Sequence, residues 1–263
     1  MPFFRKYGNP PINITLIHGG PGAAGGMAPV AIELSEKSGI LEPFQAELSI
    51  EGQIQELFLV LDKEGAPPVI LIGHSWGAWL ALIFASRFPN IIKKLILIGS
   101  GPFDDRFAKD IMITRYQRLE DKEKSELQLL LATLKYLGND DRDNTFKKAA
   151  GFIRKADLYS PIDLSDDHVE CRYDIFQSIW KEAEELRRTG KLLRTAGKVK
   201  CPVVAIHGDY DPHPAEGVSI PLSNILTDFK FILVEKCGHE PWNEKYARGG
   251  FYRILAEELW WEG

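Results

Sequence analysis

Short runs of apolar residues alternate along the chain with stretches whose apolar positions are spaced as on one face of a helix. An unbroken apolar run is typical of a strand that is buried on both faces of a sheet. This pattern predicts strands at 13–17, 40–44, 69–72, 95–98, 203–206 and 231–234. Apolar residues that recur every three or four positions indicate helices. They predict helices at 28–38, 50–63, 77–88 and 250–261.

The alternation of strands and helices predicts an α/β fold with a mostly parallel sheet and helices on both of its faces. Only 12 residues precede the first predicted strand, which leaves hardly enough chain for one short additional strand. We therefore expect a sheet of about six strands.

The stretch at 102–196 interrupts this alternation. It is rich in charged residues and has no apolar run of the buried-strand type, whereas helix-like segments occur at 125–137 and 174–189. We interpret the stretch as an all-helical insertion that lies over the sheet as a cap. The core of the fold is then formed by the two flanking parts, 1–101 and 197–263.

The composition is that of an ordinary soluble globular protein, with 263 residues of which 44% are hydrophobic and 26% charged. The net charge of −5 and the scattered basic residues argue against a nucleic-acid partner. No apolar run could span a membrane, and the N-terminus does not have the features of a signal peptide. The widely spaced Cys171, Cys201 and Cys237 fit neither a disulfide framework nor a zinc site. We expect a cytoplasmic monomer or homodimer that acts on a small molecule or a short peptide, away from membranes.

The sequence Gly-His-Ser-Trp-Gly at 73–77 is the sharpest chemical feature. It follows the buried strand at 69–72 and leads into the helix at 77–88. A G-x-S-x-G pattern at such a junction is typical of a nucleophile elbow, in which a strained turn raises the serine hydroxyl above the strand ends. The alternative is a glycine-rich helix start that is capped by a serine, and the preceding strand disfavours it. Ser75 is therefore the predicted nucleophile.

A nucleophilic serine needs a base, and the base needs a group that orients it. Among six histidines, His239 is the best candidate because it follows the last predicted strand, at the sheet edge where catalytic groups gather. Asp209 and Asp211 both follow the preceding strand. We choose Asp211 because it lies further into the loop, whereas Asp209 is suited to bracing the turn. The order Ser75, Asp211, His239 is the one expected for a hydrolase with this elbow.

A second glycine-rich segment, His-Gly-Gly-Pro-Gly at 18–22, follows the first strand. With so few side chains, its backbone N–H groups can face a substrate. We expect the N–H groups of Gly20 and Trp76 to form an oxyanion hole. The Trp76 ring is expected either to line the pocket or to pack under the cap. His18 and His74 are expected to hold loops by hydrogen bonds.

No feature of the sequence calls for a cofactor or a metal ion. The glycine run at 18–22 lacks both the Walker lysine and the G-x-G-x-x-G spacing, which makes a phosphate loop a weak alternative. The acidic run at 139–143 resembles a calcium loop superficially. It lacks the ligand spacing and the closing glutamate of an EF-hand, so we predict a solvated loop there.

Together, the motifs at 18–22 and 75–77 resemble those of the prolyl iminopeptidase branch of the α/β-hydrolases. The resemblance implies an α/β-hydrolase fold with a helical cap, and it implies that Gly20 and Trp76 supply the oxyanion donors. The family has a glycine where this chain has His74, and it has two antiparallel strands before the position of Asn13. Because only 12 residues precede Asn13 here, we expect those strands to be missing or shortened. The family's cap also supplies glutamates that bind the free α-amine of the substrate. The cap of this chain offers acidic residues but no matching motif: Glu182, Glu184 and Glu185.

Several functions are compatible with these residues. The first is a serine hydrolase that forms an acyl-enzyme with a small ester or amide, which includes an aminopeptidase of the prolyl iminopeptidase type. A carboxylesterase or a C–C bond hydrolase would use the same serine, histidine and aspartate. A third possibility is a small-molecule receptor on the same fold, with slow turnover or none.

Overall fold

The computed structural model describes residues 3–162 and 169–260. It contains a seven-stranded sheet in the order β1-β3-β2-β4-β5-β6-β7. The strands are β1 Phe4–Tyr7, β2 Ile12–Ile17, β3 Gly39–Pro43, β4 Val69–His74, β5 Ile92–Ile98, β6 Val203–Gly208 and β7 Phe229–Val234. Strand β1 pairs antiparallel with β3, and every other neighbouring pair is parallel.

Helices connect the strands on both sides of the sheet. They are α1 Ala28–Leu34, α2 Ile50–Glu64, α3 Trp76–Arg87, α4 Ile111–Gln117, α5 Asp121–Thr133, α6 Asn139–Asp157, α7 Tyr173–Arg188, α8 Lys191–Ala196, α9 Glu216–Ile225 and α10 Arg248–Trp260. Within the described residues, none of these helices is both long and apolar enough to cross a membrane.

The predicted fold class, a mostly parallel sheet between two layers of helices, is confirmed, but the sheet has seven strands and not about six. The additional strand is β1, the single antiparallel strand of the sheet. Its four residues lie at the sheet edge and none of them is fully buried. A half-exposed edge strand has no need of an apolar run, which explains why the hydrophobic pattern did not reveal it.

Successive residues of the central strands face opposite sides of the sheet, as the pleat requires. Leu71 and Leu95 belong to a core cluster that includes side chains of α2, α3, α8 and α9. Their neighbours Ile72 and Ile96 belong to a second cluster, together with side chains of α1 and α10. Burial on both faces accounts for the unbroken apolar runs of β4 and β5. Because the two strands pair in parallel, their carboxyl ends lie at one edge of the sheet.

In the part of this segment that the structure describes, five helices, α4 to α8, lie between β5 and β6. Helices α7 and α8 bury Ile179 and Leu192 in the same cluster as α2 and α3. Helices α5 and α6 form a small separate cluster together with Leu119, which lies two positions before α5. The buried members of this cluster are Leu119, Leu127, Ala149 and Ala156. The helical segment thus contacts the sheet domain through α7 and α8 and has a minor core of its own.

The prediction of a solvated loop at 139–143 is wrong, because α6 begins at Asn139. Carboxylates are favourable in the first turn of a helix, where they face the positive end of the helix dipole. Asp143 also accepts a hydrogen bond at 2.8 Å from the N–H of Tyr173, the first residue of α7. The acidic run therefore starts one helix and is tied to the start of the next.

Candidate active site

Ser75 occupies a sharp turn between β4 and α3. Its φ of 52° and ψ of −115° are strained for a residue with a side chain. A Cβ atom on Gly73 would lie 2.2 Å from the carbonyl oxygen of Gly77, and one on Gly77 would lie 2.3 Å from that of Ile17. Only glycine fits such close approaches. The Ser75 N–H donates to the Ile98 carbonyl at 2.9 Å, which ties the turn to the neighbouring strand.

Asp211 and His239 are in direct contact beyond the ends of the adjacent strands β6 and β7. The Nδ1–H group of His239 donates to Oδ2 of Asp211 at 2.7 Å. Both residues are buried. Because Nδ1 carries the hydrogen in this arrangement, the lone pair of the neutral His239 ring is on Nε2. That nitrogen is the atom that can accept a proton from another group.

The second acid of the same loop has a different contact. Asp209 accepts a hydrogen bond at 3.1 Å from the N–H of Cys237, which lies two residues before His239. This bond holds the two loops together but does not touch the imidazole. Of the two acids that the sequence offered, the structure brings Asp211 to His239.

Ser75 and His239 are linked through His74, the last residue of β4. The Nε2–H group of His74 donates to the backbone carbonyl of His239 at 3.0 Å, and the centroids of the two rings are 4.7 Å apart. In the described part of the chain, the Ser75 hydroxyl has no hydrogen-bond partner within 3.5 Å, the His239 ring included. The structure therefore brings the elbow to the His239 loop without closing the bond between the hydroxyl and the imidazole.

The glycine-rich loop packs directly on the elbow. A Cβ atom on Gly19 would lie 3.0 Å from the Cβ of Ser75. The Nδ1–H group of the buried His18 donates to the Gly19 carbonyl at 2.9 Å. Gly20 has a φ of +56°, in the left-handed region that favours glycine. Trp76 is the first residue of α3, where a backbone N–H has no carbonyl one turn earlier to bond.

The far end of this loop is held by the chain that leads into α7. The Arg172 N–H donates to the Gly22 carbonyl at 2.9 Å, and the Glu170 N–H donates to the Ala24 carbonyl at 3.0 Å. A Cβ atom on Gly22 would lie 2.4 Å from the carbonyl oxygen of Arg172. The helical segment therefore supports the loop whose N–H groups the sequence assigned to the oxyanion hole.

The Trp76 side chain packs in the core, and its exposed fraction is 2%. Its Nε1–H group donates to Oε1 of Gln53 on α2 at 3.3 Å, and its ring meets that of Trp79 edge to face at 6.5 Å. Of the two roles that the sequence left open for this ring, the structure supports packing.

Electrostatics favour an ion pair at the contact between Asp211 and His239. Burial raises the pKa of Asp211, but the adjacent imidazoles hold that pKa well below its ordinary value. Burial lowers the pKa of His239, and the charge and hydrogen bond of Asp211 outweigh this effect, so its pKa is above 6.5. The carboxylate thus stabilises a proton on His239 without taking it.

Three further residues of this region were not singled out from the sequence. His213 donates its Nδ1–H to Oδ1 of Asp211 at 2.7 Å. The backbone carbonyl of Asp157 accepts the N–H of His239 at 2.9 Å. The Asp157 carboxylate forms two hydrogen bonds of 2.7 Å with Arg115 of α4. The only sequence signal for any of them is that His213 follows Asp211 by two positions.

Asp211, His213 and His239 also place their nitrogen and oxygen atoms within 4.8 Å of one another, as a metal site would. Ligand atoms of a tetrahedral zinc ion are about 3.3 Å apart, because each is about 2.0 Å from the metal. The oxygens of Asp211 are only 2.7 Å from the imidazole nitrogens. We interpret the cluster as a hydrogen-bonded network.

The three glutamates that the sequence offered for binding a substrate amine have other surroundings. Glu182 accepts the N–H of Ile50 at 3.1 Å and so caps the start of α2. Glu185 forms hydrogen bonds of 2.7 to 2.9 Å with Arg188 on the same helix. Glu184 is exposed. None of the three contacts Ser75 or His239 in the described structure.

Comparison with known proteins gives consistent results at the level of the family. A family model for the alpha/beta hydrolase fold matches residues 48–245. The crystal structure of VinJ is similar over 97% of this chain and 93% of its own, with a TM-score of 0.69 and 17% identity. At that identity the likeness concerns the fold alone.

Two curated relatives match shorter regions. The proline iminopeptidase of Lactobacillus delbrueckii subsp. lactis is 33% identical over 101 residues, or 32% of this chain and 34% of that protein. The 2-hydroxy-6-oxo-2,4-heptadienoate hydrolase of Pseudomonas putida is 32% identical over 107 residues, or 35% of this chain and 38% of that protein. In both cases the chain matches little more than a third of the relative's length.

Proposed function

The chain belongs to the α/β hydrolase fold family, and from that premise we propose that it is a serine hydrolase that cleaves small esters through an acyl-enzyme. The observation that carries the proposal is the 2.7 Å hydrogen bond between His239 and Asp211. His74 ties the loop of that histidine to the strained turn that holds Ser75 at the end of β4. A base, an orienting carboxylate and a nucleophilic hydroxyl are the three parts that this chemistry needs.

In the proposed reaction, Ser75 Oγ attacks the carbonyl carbon of the ester while His239 Nε2 takes the hydroxyl proton. The N–H groups of Gly20 and Trp76 stabilise the oxyanion. His239 then gives the proton to the departing alcohol, which leaves an acyl group on Ser75. Water attacks that acyl group, again losing a proton to His239, and the acid is released as the serine is restored.

The missing hydrogen bond between Ser75 and His239 is compatible with this role. Catalytic hydrogen bonds are often long in unliganded enzymes and shorten when substrate is bound. His74 anchors the His239 loop to the elbow, which keeps the loop of the proposed base against the loop of the proposed nucleophile. We propose that α4 to α8 act as the cap over this site and that the segment before α7 holds the oxyanion loop.

An ester is favoured over a peptide with a free α-amine because, within the described residues, two carboxylates near His239 are already paired with arginines. Asp157 is paired with Arg115, and Glu240, the residue after His239, is paired with Arg154. An ammonium group needs a carboxylate whose charge is not already balanced by an arginine.

Catalysis by Ser75 can be tested with the Ser75→Ala variant. We expect it to lose at least about 10³-fold in kcat on p-nitrophenyl acetate and butyrate, because the nucleophile is gone while binding remains. A fluorophosphonate probe should label the wild-type protein at Ser75 and leave the variant unlabelled. Full activity in the variant would disprove the mechanism, and a wild-type protein that neither turns over nor reacts would favour a receptor.

The second candidate is an aminopeptidase, which the motifs at 18–22 and 75–77 and the partial match to a proline iminopeptidase favour. Prolyl and alanyl naphthylamides, assayed beside the esters, distinguish the two. If Glu182 binds the amine, Glu182→Gln should raise KM for the naphthylamides and leave the esters unaffected. If it only caps α2, the change should lower the melting temperature and leave the ratio of the two activities unchanged.

A further inference from the structure

Asp211 binds two imidazoles, one on each carboxylate oxygen. Oδ2 accepts from His239 at 2.7 Å. Oδ1 accepts both the Nδ1–H of His213, at 2.7 Å, and the backbone N–H of His213, at 2.9 Å. The centroids of the two rings are 4.6 Å apart. A serine, a histidine and an aspartate suffice for the proton transfers and bond changes of the proposed reaction. The second imidazole, that of His213, takes no part in these steps.

We infer that His213 is a positioning residue that acts through Asp211: its two N–H groups fix the carboxylate so that Oδ2 faces His239. This inference rests on the proposed function. The carboxylate torsion of an aspartate is broad and roughly two-fold, so one partner alone leaves the group free to turn. Two donors on Oδ1 remove that freedom.

The position of His213 is itself fixed from behind. Its backbone carbonyl accepts the Nε2–H of His207 at 2.8 Å, and its side chain is buried. His207 is on β6 and therefore belongs to the rigid sheet. A continuous series of hydrogen bonds runs from the sheet through His213 and Asp211 to the imidazole of His239.

His213 stays neutral while His239 takes up the proton. Burial lowers the pKa of His213 to about 4, even though Asp211 raises it. The pKa of His239 is raised instead, because Asp211 more than offsets its burial. Among the described residues, the other titratable or charged groups that act on the pair come from β4, β6, α4 and α6, and they are His74, His207, Arg115 and Asp157. At neutral pH His213 is therefore a constant donor to the carboxylate.

A second donor also draws negative charge away from Oδ2. A carboxylate that is stabilised by more hydrogen bonds attracts the proton of a neighbouring imidazolium less strongly. Loss of the His213 donor should thus raise the pKa of His239, in addition to loosening its position. Both effects reduce the fraction of enzyme that holds a well-placed neutral base.

The test compares two variants of one residue. His213→Asn keeps an N–H donor close to the place of Nδ1, whereas His213→Leu removes the donor and keeps a buried side chain. We expect the leucine variant to lose about 10- to 100-fold in kcat with less than about a threefold change in KM. Its acid limb of kcat/KM should move up by about half a pH unit. The asparagine variant should recover most of the activity and the original limb.

Coupling to Asp211 separates positioning from mere packing. If His213 acts through the carboxylate, His213→Leu should cost little more activity in an Asp211→Asn background, because effects on one network are not additive. Equal losses in both backgrounds, or equal losses in the leucine and asparagine variants with an unshifted limb, would overturn the inference. Melting temperatures of all variants identify any that fail to fold.

An NMR titration of the imidazole Cε1–H signals gives the pKa of His239 without any substrate. A higher pKa in the leucine variant than in the asparagine variant supports the inference, and identical values refute it. Failure of the proposed function has a different signature: the wild-type protein would be inert toward esters and toward the fluorophosphonate. The titration still reports on His213 in that case.

Discussion

Asp211 carries its charge in a place that water does not reach, and at the scale of single residues this charge organises the site. A buried carboxylate is costly unless all of its oxygens are hydrogen-bonded. Here His239 occupies one oxygen and His213 the other. The strained backbone of Ser75 is a second local cost in free energy. The close contacts at Gly73 and Gly77 leave no room for a side chain at either position of this turn.

The role of the carboxylate leads to a prediction for Asp211→Asn. An amide can present its NH₂ group to His239, which would force the imidazole into the tautomer with its hydrogen on Nε2. We expect kcat on p-nitrophenyl esters to fall by about 10³- to 10⁴-fold with KM little changed. Asp209→Asn is the matched control from the same loop. It can still accept the Cys237 N–H and should remain within about threefold of the wild-type protein, whereas equal losses would contradict the assignment.

The meeting of Asp211 and His239 could be anticipated from the sequence, because parallel neighbours bring their carboxyl ends to one edge. Their catalytic roles stay predictions. His213 could not be anticipated, since a spacing of two residues in a loop implies no particular geometry. The bond from His239 to the Asp157 carbonyl was equally hidden. It depends on how α6 ends above the sheet, which a hydrophobic pattern does not encode.

At the scale of elements, strands buried on both faces were predictable, and the helices between β5 and β6 were harder. Helix α5 starts at Asp121 and not near 125, because Glu120 and Glu123 form a capping box that extends it backward. The acidic start of α6 resembles a loop in the sequence for a related reason, since charged residues without apolar spacing give no helical pattern. Surface helices of this kind are specified by their ends.

The contact between the glycine-rich loop that begins at His18 and the chain before α7 gives a prediction at this scale. In Gly22→Ala, the new Cβ would meet the Arg172 carbonyl oxygen at 2.4 Å, and φ is +76°. We expect the loop to shift and kcat/KM on esters to fall at least about 10-fold, since a displaced oxyanion donor is costly.

Gly26→Ala provides the control in the same loop. Its nearest neighbour, the Ala23 carbonyl oxygen, is 3.4 Å away, which is an ordinary contact. Stopped-flow labelling with a fluorophosphonate would measure both variants. Similar labelling rates for Gly22→Ala and Gly26→Ala would show that the contact between Gly22 and Arg172, just before α7, does not position the loop.

At the scale of the whole molecule, several histidines are buried where an extra proton would be unfavourable. Burial lowers the pKa values of His18, His74 and His213. The unfolded chain takes up these protons near pH 6.5, and the folded chain does so only at lower pH. These three groups therefore contribute stability that is fully present above pH 6.5 and is lost progressively as the pH falls below that value. His239 and Glu42, whose pKa values are raised, act in the opposite direction.

His18 allows this linkage to be measured one proton at a time. Because its folded pKa is lowered, its contribution makes the free energy of unfolding rise with pH, by up to about 1.4 kcal/mol per pH unit. His18→Asn retains a donor for the Gly19 carbonyl but does not titrate. Urea unfolding between pH 5 and 6.5 should therefore show that the free energy of unfolding depends less on pH in the variant. The slope against pH should be smaller by at most about 1.4 kcal/mol per pH unit, which corresponds to one proton.

Thr15→Val is the control, because it also alters a buried polar group but cannot change the proton balance. The Thr15 hydroxyl has no hydrogen-bond partner in the described structure, and valine has nearly the same shape. We expect this variant to shift the free energy of unfolding by a constant amount at every pH. If His18→Asn behaved in the same way, His18 would have the same pKa in both states, and its burial would not contribute to the acid sensitivity of the fold. If only His18→Asn reduced the slope of the free energy of unfolding against pH, one of the protons taken up on unfolding would belong to His18, the histidine that holds the glycine-rich loop.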